Sequence, residues 1–93
     1  MEKRHHNRVM CTVELEPDAA EQLSELRNPI HARINGVLER LREWPNVSGA
    51  KPLRGKLAGR YRVRTGDYRV QFRVERQTVI VEKIGHRDRF YED

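Results

Sequence analysis

Residues 60–74, RYRVRTGDYRVQFRV, alternate basic and apolar side chains on either side of a Gly-Asp pair. This alternation has the two-residue period of a β-strand, in which successive side chains point to opposite faces of a sheet. Gly66-Asp67 suits a two-residue hairpin turn with a positive φ at its first position. The segment therefore predicts a β-hairpin with one apolar face and one face rich in arginine.

The predicted turn also sets the register of the two strands. On the apolar face the expected pairs are Val63 with Val70 and Tyr61 with Phe72. On the other face Arg64 lies opposite Arg69, and Arg60 lies opposite Arg73. Like charges placed directly opposite each other destabilise a sheet, so we expect this face to meet an anion. The alternative is an ordinary solvated face whose arginines only keep the protein soluble.

Charge is divided unevenly along the chain. Residues 1–50 contain seven Lys or Arg and eight Asp or Glu, a net charge of −1, whereas residues 51–93 contain twelve and six, a net charge of +6. The overall charge of +5 therefore belongs to the half that contains the hairpin. A basic surface confined to one region is typical of a protein that binds a polyanion, and nucleic acid is the leading candidate.

Several classes of chemistry lack the residues they need. Cys11 is the only cysteine, which excludes an intramolecular disulfide and favours a reducing compartment. The four histidines show no zinc-site spacing, and the chain has no phosphate- or dinucleotide-binding glycine motif. No apolar run approaches the roughly 20 residues needed to span a bilayer. We therefore expect a cytoplasmic protein that uses no metal or other cofactor and no membrane.

The rest of the chain predicts elements that support the hairpin. A strand is expected over residues 9–15, helices over 18–26 and 29–43, and an interior strand over 78–84. Asn28 is expected as the N-cap of the second helix, and the short link between the helices predicts a helical hairpin. Residues 1–8 are expected to be a flexible arm. Residues 1–93 then form one α+β domain of order β-α-α-β-β-β, in which the helical hairpin backs a small antiparallel sheet.

The element order, the run LRGKLAGRYRVRTGDYRVQF and the C-terminal IGHRDRFY together resemble the RelE/ParE superfamily of bacterial toxins from toxin-antitoxin pairs. The resemblance covers nearly the whole chain and implies a RelE-like fold. It also implies one of two activities, because RelE-type members cut mRNA on the ribosome without a metal and ParE-type members inhibit DNA gyrase. We expect an mRNA endoribonuclease that inhibits translation, with gyrase inhibition as the alternative. A plain RNA-binding module would carry paired aromatics on its sheet face, and these are missing.

The resemblance can be carried over to individual residues. Arg62 and Arg64 stand where RelE-type nucleases have basic residues on the same strand. Arg69 matches the arginine after the turn, Arg87 matches the arginine after the glycine of the last strand, and Tyr91 is the nearest match to a C-terminal tyrosine. Some members have lysines at the first two positions. Because an arginine keeps its proton, Arg62 and Arg64 are expected to hold phosphate and not to act as bases.

RNA cleavage without a metal needs a base for the 2′-hydroxyl, cations on the phosphate and an acid for the leaving 5′-oxygen. His86 is the only histidine near the basic hairpin, and histidine titrates near neutral pH, so it is a candidate base or acid. The alternative for His86 is a structural residue satisfied by a backbone carbonyl. Tyr91 is a candidate for proton transfer or base stacking. Arg69 and Arg87 complete the expected catalytic set.

The expected nucleic-acid-binding residues share a basic side chain in or just before the hairpin, and they are Lys56, Arg60, Arg62, Arg64 and Arg73. The expected partners are a cognate antitoxin laid across the basic face, mRNA and the ribosome. Operator DNA is expected as a partner only through the antitoxin complex.

Overall fold

The computed structural model describes residues 10–90, so the predicted N-terminal arm and Tyr91 lie outside the described residues. The elements in chain order are β1 (Thr12–Leu15), α1 (Pro17–Ser24), α2 (Asn28–Leu41), β2 (Lys51–Pro52), a 3₁₀ turn (Gly55–Leu57), β3 (Arg60–Thr65), β4 (Tyr68–Glu75) and β5 (Thr78–His86). Within residues 10–90, neither helix is both long and apolar enough to cross a membrane.

The strands form one sheet in the order β1-β5-β4-β3-β2. The α+β class and the predicted element order are confirmed, with a short additional strand, β2. One detail differs, because β1 runs parallel to β5 and the sheet is mixed instead of antiparallel throughout. Strands joined by tight turns must be antiparallel, whereas β1 and β5 are separated by the helical hairpin and the other strands, which leaves their relative direction unconstrained.

The predicted hairpin register is confirmed at every pair. Gly66 has a φ of 59°, the left-handed value that the turn requires and that glycine adopts without a steric penalty. The predicted N-cap is one residue late, since Asn28 is already helical and Arg27 occupies the cap without a side-chain hydrogen bond. Pro29 is tolerated there because amides of the first helical turn lack an intrahelical acceptor.

Both helices pack on one face of the sheet, and their buried residues meet those of β3, β4 and β5 in a single core. The buried hydrophobic residues of this core are Cys11, Ala19, Ile34, Val37, Leu41, Val63, Val70, Phe72, Val79, Val81 and Ile84. Phe72 also contacts two half-buried aromatic rings, with ring centroids 5.3 Å from Trp44 and 5.6 Å from Tyr61. The core occupies the helix side, which leaves the opposite side of the sheet for polar residues.

A β-bulge in β5 decides which side chains reach each face. Gln71 pairs with Lys83 but its neighbour Phe72 pairs with Val81, so Glu82 is an extra residue in β5. Because side chains alternate along a strand, one extra residue reverses the faces of all residues that follow it. The side chain of Gln22 on α1 accepts a hydrogen bond of 2.7 Å from the backbone N–H of Ile84, just past the bulge.

Candidate nucleic-acid interface

We call the side of the sheet opposite the helices the arginine face. It carries the alternate side chains of β3 and β4 that do not enter the core, namely Arg60, Arg62, Arg64, Arg69, Gln71 and Arg73. The residues nearest the β3–β4 turn are the pair Arg64 and Arg69, with Gly85 of β5 on the far side of Arg69. The two arginines thus lie side by side, as the register predicted.

Arg69 has a buried donor that lacks a hydrogen-bond partner in the described part of the chain. Its Nε is buried and has no hydrogen-bond acceptor among residues 10–90. A buried donor without a partner costs about 1–3 kcal/mol, and the neighbouring charge of Arg64 adds repulsion. A phosphate beside the pair would offset the repulsion between the two charges, so Arg64 and Arg69 are a candidate anion site.

The second pair of opposed arginines, Arg60 and Arg73, is neutralised within the chain. Glu82 accepts hydrogen bonds from Arg60 Nε at 3.0 Å and from Arg73 Nη1 at 2.7 Å. Arg73 also donates to Glu16 at 2.7 Å and to Glu75 at 2.9 Å. The anion expected here is therefore an internal carboxylate, and these two arginines are already engaged in ion pairs.

The network changes the protonation of its members. Desolvation raises the pKa of Glu82, but hydrogen bonds from Gln71, Arg60 and Arg73 outweigh it, and the net pKa lies below its usual value. The pKa of Arg73 is raised, first by its hydrogen bond to Glu16 and then by those to Glu75 and Glu82. Both shifts favour the charged forms, so the cluster holds the arginine face together at neutral pH.

Replacing Glu82 with glutamine is expected to lower the free energy of unfolding by about 1–2 kcal/mol at neutral pH, because two partly exposed arginines lose their anion. A lowered carboxyl pKa stabilises the fold above the unfolded value and loses that contribution as the pH falls. The difference between Glu82→Gln and wild type should therefore shrink below about pH 4. Urea denaturation of the two proteins at neutral pH and below about pH 4 measures this difference in stability.

Glu75→Gln is the matched control, since the carboxylate of Glu75 is 61% exposed and pairs with the same Arg73. An exposed pair contributes about 1 kcal/mol or less. Equal losses for the two variants at neutral pH would contradict a central role for Glu82.

His86 does not join the arginines. It pairs with Tyr68 across the strands, and the two rings meet edge to face at 5.3 Å on the helix side of the sheet. Its Nδ1 accepts a hydrogen bond of 3.1 Å from the backbone N–H of Asp88. His86 therefore lies on the opposite face of the sheet from the basic residues, because the bulge at Glu82 reverses its side. Its catalytic role stays a prediction without support from position.

Arg87 lies at the turn end of the arginine face. Its backbone N–H donates to the carbonyl of Asp67 at 2.7 Å, which attaches the end of β5 to the β3–β4 turn. Its side chain is 59% exposed, and its Nε lies 3.8 Å from Asp67 and 3.7 Å from Asp88, at the long limit for an ion pair. The guanidinium is therefore held loosely and can turn towards a ligand beside Arg64 and Arg69.

Two residues that the sequence pattern did not indicate lie next to this group. Lys83 is brought onto the arginine face by the bulge, and its Nζ is 4.9 Å from the centroid of the Phe90 ring. Phe90 is 1% exposed and approaches Gly85, where the Cβ of any larger residue would lie 3.5 Å from the ring. Gly85 stands out in the sequence as the glycine of the last strand. No feature of the neighbouring residues indicated that the ring of Phe90 covers it.

The remaining predicted residues are more scattered. Arg62 lies on the arginine face opposite Gln71, and Lys56 is exposed in the 3₁₀ turn before β3. Tyr91 lies outside the described residues. Within residues 10–90, no three His, Cys, Asp or Glu side chains come together in a way that could hold a metal ion.

Known proteins share this architecture. A family model described as the ParE toxin of the type II toxin-antitoxin system parDE matches residues 13–91. The toxin-antitoxin complex RelBE2 of Mycobacterium tuberculosis contains a chain that is 31% identical, with a TM-score of 0.73 over 85% of this chain and 93% of that one. No curated protein sequence matches the chain.

More distant structures share the fold. The isolated RelE toxin of E. coli is 20% identical, with a TM-score of 0.70 over 82% of this chain and 83% of that one. The YoeB dimer of Staphylococcus aureus is 17% identical, with a TM-score of 0.67 over 85% of this chain and 97% of that one. Two helices on a five-stranded mixed sheet therefore define a RelE-like α+β protein.

This chain belongs to the RelE/ParE superfamily and is a toxin of a type II toxin-antitoxin system. The matched mycobacterial structure is a complex with an antitoxin, which supports a cognate antitoxin as the partner of this toxin.

Proposed function

We propose that this toxin is an mRNA endoribonuclease that cleaves ribosome-bound mRNA in the cytoplasm and so inhibits translation. The observation that carries the proposal is the opposed pair Arg64 and Arg69 beside the loosely held Arg87, with the buried Nε of Arg69 lacking an acceptor among residues 10–90. Three arginines at one end of a sheet face suit a phosphate whose negative charge grows during the reaction.

Each arginine has a distinct part in this proposal. Arg64 and Arg69 hold the scissile phosphate, each charged contact contributing about 1.5–3 kcal/mol. Arg87 adds a contact as the phosphorus becomes five-coordinate and its oxygens gain charge. Because arginines do not act as bases, alignment of the 2′-hydroxyl carries much of the rate, and alignment can lower a barrier by about 7–11 kcal/mol. The ribosome is the proposed source of that alignment.

The antitoxin is proposed to cover the arginine face with an acidic segment, which would block mRNA and the three arginines together. Operator DNA is then contacted through the antitoxin complex. In this proposal the ion-paired Arg60 and Arg73 stabilise the arginine face. Arg62 and Lys56 contact phosphates on either side of the scissile one.

Gyrase inhibition is the second candidate, because the matching family model is that of the ParE toxin and His86 lies on the helix side of the sheet. A gyrase inhibitor needs no proton-transfer group beside its arginines. Both activities stop growth, so the loss of viability does not distinguish them.

Primer extension on cellular mRNA after toxin induction tests the proposal. Wild type is expected to produce breaks within codons, and Arg87→Ala to reduce them by about 10²–10³-fold, since it removes charge stabilisation in the transition state. Arg40→Ala is the matched control, because it removes an exposed arginine from α2 in the helical layer. Intact mRNA together with reduced plasmid supercoiling and accumulated DNA breaks would reject the nuclease and favour gyrase inhibition.

A further inference from the structure

The proposed reaction leaves one chemical role unfilled. The 5′-oxygen must receive a proton as its bond to phosphorus breaks, and the arginines of the face keep theirs. His86 points to the helix side, where it contacts Tyr68. A proton donor for the leaving group must therefore come from another side chain of the arginine face.

Lys83 is the lysine that lies among these groups. It pairs with Gln71 across the strands, and Arg69 pairs with Gly85 two residues further along β5. Lys83 and Arg69 are thus diagonal neighbours on one face, a separation of about 7–8 Å that long side chains can bridge. Lys83 is half-buried on this face.

The surroundings of Lys83 restrict where its ammonium can be. Its Nζ lies 4.9 Å from the centroid of the Phe90 ring, and Phe90 is itself 1% exposed. The ring lies over Gly85, where a Cβ would be in ordinary van der Waals contact with it at 3.5 Å, and it covers the position next to Arg69. The face of an aromatic ring attracts a cation, so Phe90 favours one location for the charged amine.

We propose that Lys83 is the general acid of the cleavage reaction, an inference that rests on the proposed nuclease function. The 2′-hydroxyl loses its proton to water and its oxygen bonds to phosphorus. The bond from phosphorus to the 5′-oxygen breaks, and that oxygen takes a proton from the Lys83 ammonium. The products are a 2′,3′-cyclic phosphate and a 5′-hydroxyl, and the neutral amine regains a proton from water.

The acid role suits lysine better than the base role at this position. A lysine is ordinarily an ammonium at neutral pH and is ready to donate, whereas a base would first have to lose a proton. The adjacent arginines meanwhile supply the positive charge that binds the phosphate. Lys83 is thus required to supply a transferable proton, and an arginine in its place would retain the charge without the proton transfer.

The experiment compares Lys83→Arg, Lys83→Met and wild type on ribosomes programmed with a short synthetic mRNA, with each toxin in excess. Both variants are expected to cleave about 10²–10⁴-fold more slowly than wild type. Lys51→Arg is the matched control in the edge strand β2 and is expected to cleave at the wild-type rate. Urea denaturation of each variant checks that it is folded.

A second mRNA carries sulfur in place of the scissile 5′-oxygen. A thiolate leaves without an acid, since thiols ionise near pH 8.5, so cleavage of this mRNA by both Lys83 variants should recover to within about tenfold of wild type. Two results would overturn the role of Lys83 without touching the nuclease function. One is that the variants stay slow on the sulfur-containing mRNA, and the other is that they cleave the ordinary mRNA within about threefold of the wild-type rate. Absence of cleavage by wild type on both mRNAs would instead reject the nuclease function on which the inference rests.

Discussion

Replacing Arg69 with alanine is expected to lower mRNA cleavage by about 10²–10³-fold, the usual effect of removing one group that stabilises transition-state charge. The same change should leave the free energy of unfolding equal or raise it by about 0.5–1 kcal/mol, because it removes a buried unpaired Nε and its repulsion with Arg64. Activity would then fall without a loss of stability. Cleavage on programmed ribosomes and urea denaturation measure the two quantities.

Arg73→Ala provides the contrast on the same strand. Arg73 donates to Glu16, Glu75 and Glu82, so its removal leaves a half-buried carboxylate without one of its main donors. We expect a measurable loss of stability, reduced by solvent screening. If Arg69→Ala destabilised the protein as much as Arg73→Ala, the view that Arg69 is kept unpaired for a ligand would be wrong.

Replacing Phe72 with alanine is expected to lower the free energy of unfolding by about 3–5 kcal/mol, the usual cost of removing a buried phenylalanine. Phe72 is fully buried and lies against the rings of Trp44 and Tyr61, so little can move to fill the space. Small domains have only about 5–15 kcal/mol of stability, so this loss is a large fraction of the total and the melting temperature should fall by more than about 10 °C. Thermal denaturation by circular dichroism measures the change.

Phe72→Leu is the control for that prediction. It keeps an apolar side chain in the same position and is expected to cost about 1.5 kcal/mol or less. A similar loss for the two substitutions would mean that the aromatic contacts, and not the buried volume, dominate at this site.

The hairpin and its register could be predicted because they depend on neighbouring residues. The two-residue period assigns each side chain to a face, and the Gly66 turn aligns the two strands, so the pairs Arg64–Arg69 and Arg60–Arg73 follow from local rules. The helical hairpin is local in the same way, because a short link limits how two helices can pack. The toxin family was recognisable from these elements and from the two sequence runs that carry them.

The contacts of those arginines with other elements could not be predicted. Glu82 neutralises Arg60 and Arg73, yet it lies in another strand. Glu16, the residue that links β1 to α1, also binds Arg73. The parallel pairing of β1 with β5 depends in the same way on elements that are distant in sequence. The pattern of charges predicts an anion site, but only packing shows that Arg60 and Arg73 have an internal carboxylate while the Nε of Arg69 has no acceptor among residues 10–90.

The sequence by itself determined the two helices, the hairpin register and the basic character of one sheet face, because each depends on residues a few positions apart. Tertiary structure decided the faces of Lys83 and His86. By simple alternation from Val81, His86 would lie among the arginines and Lys83 in the core, and the bulge at Glu82 reverses both. A bulge forms where pairing with β4 and packing of Ile84 into the core favour an extra residue, and those interactions exist only once the sheet has assembled.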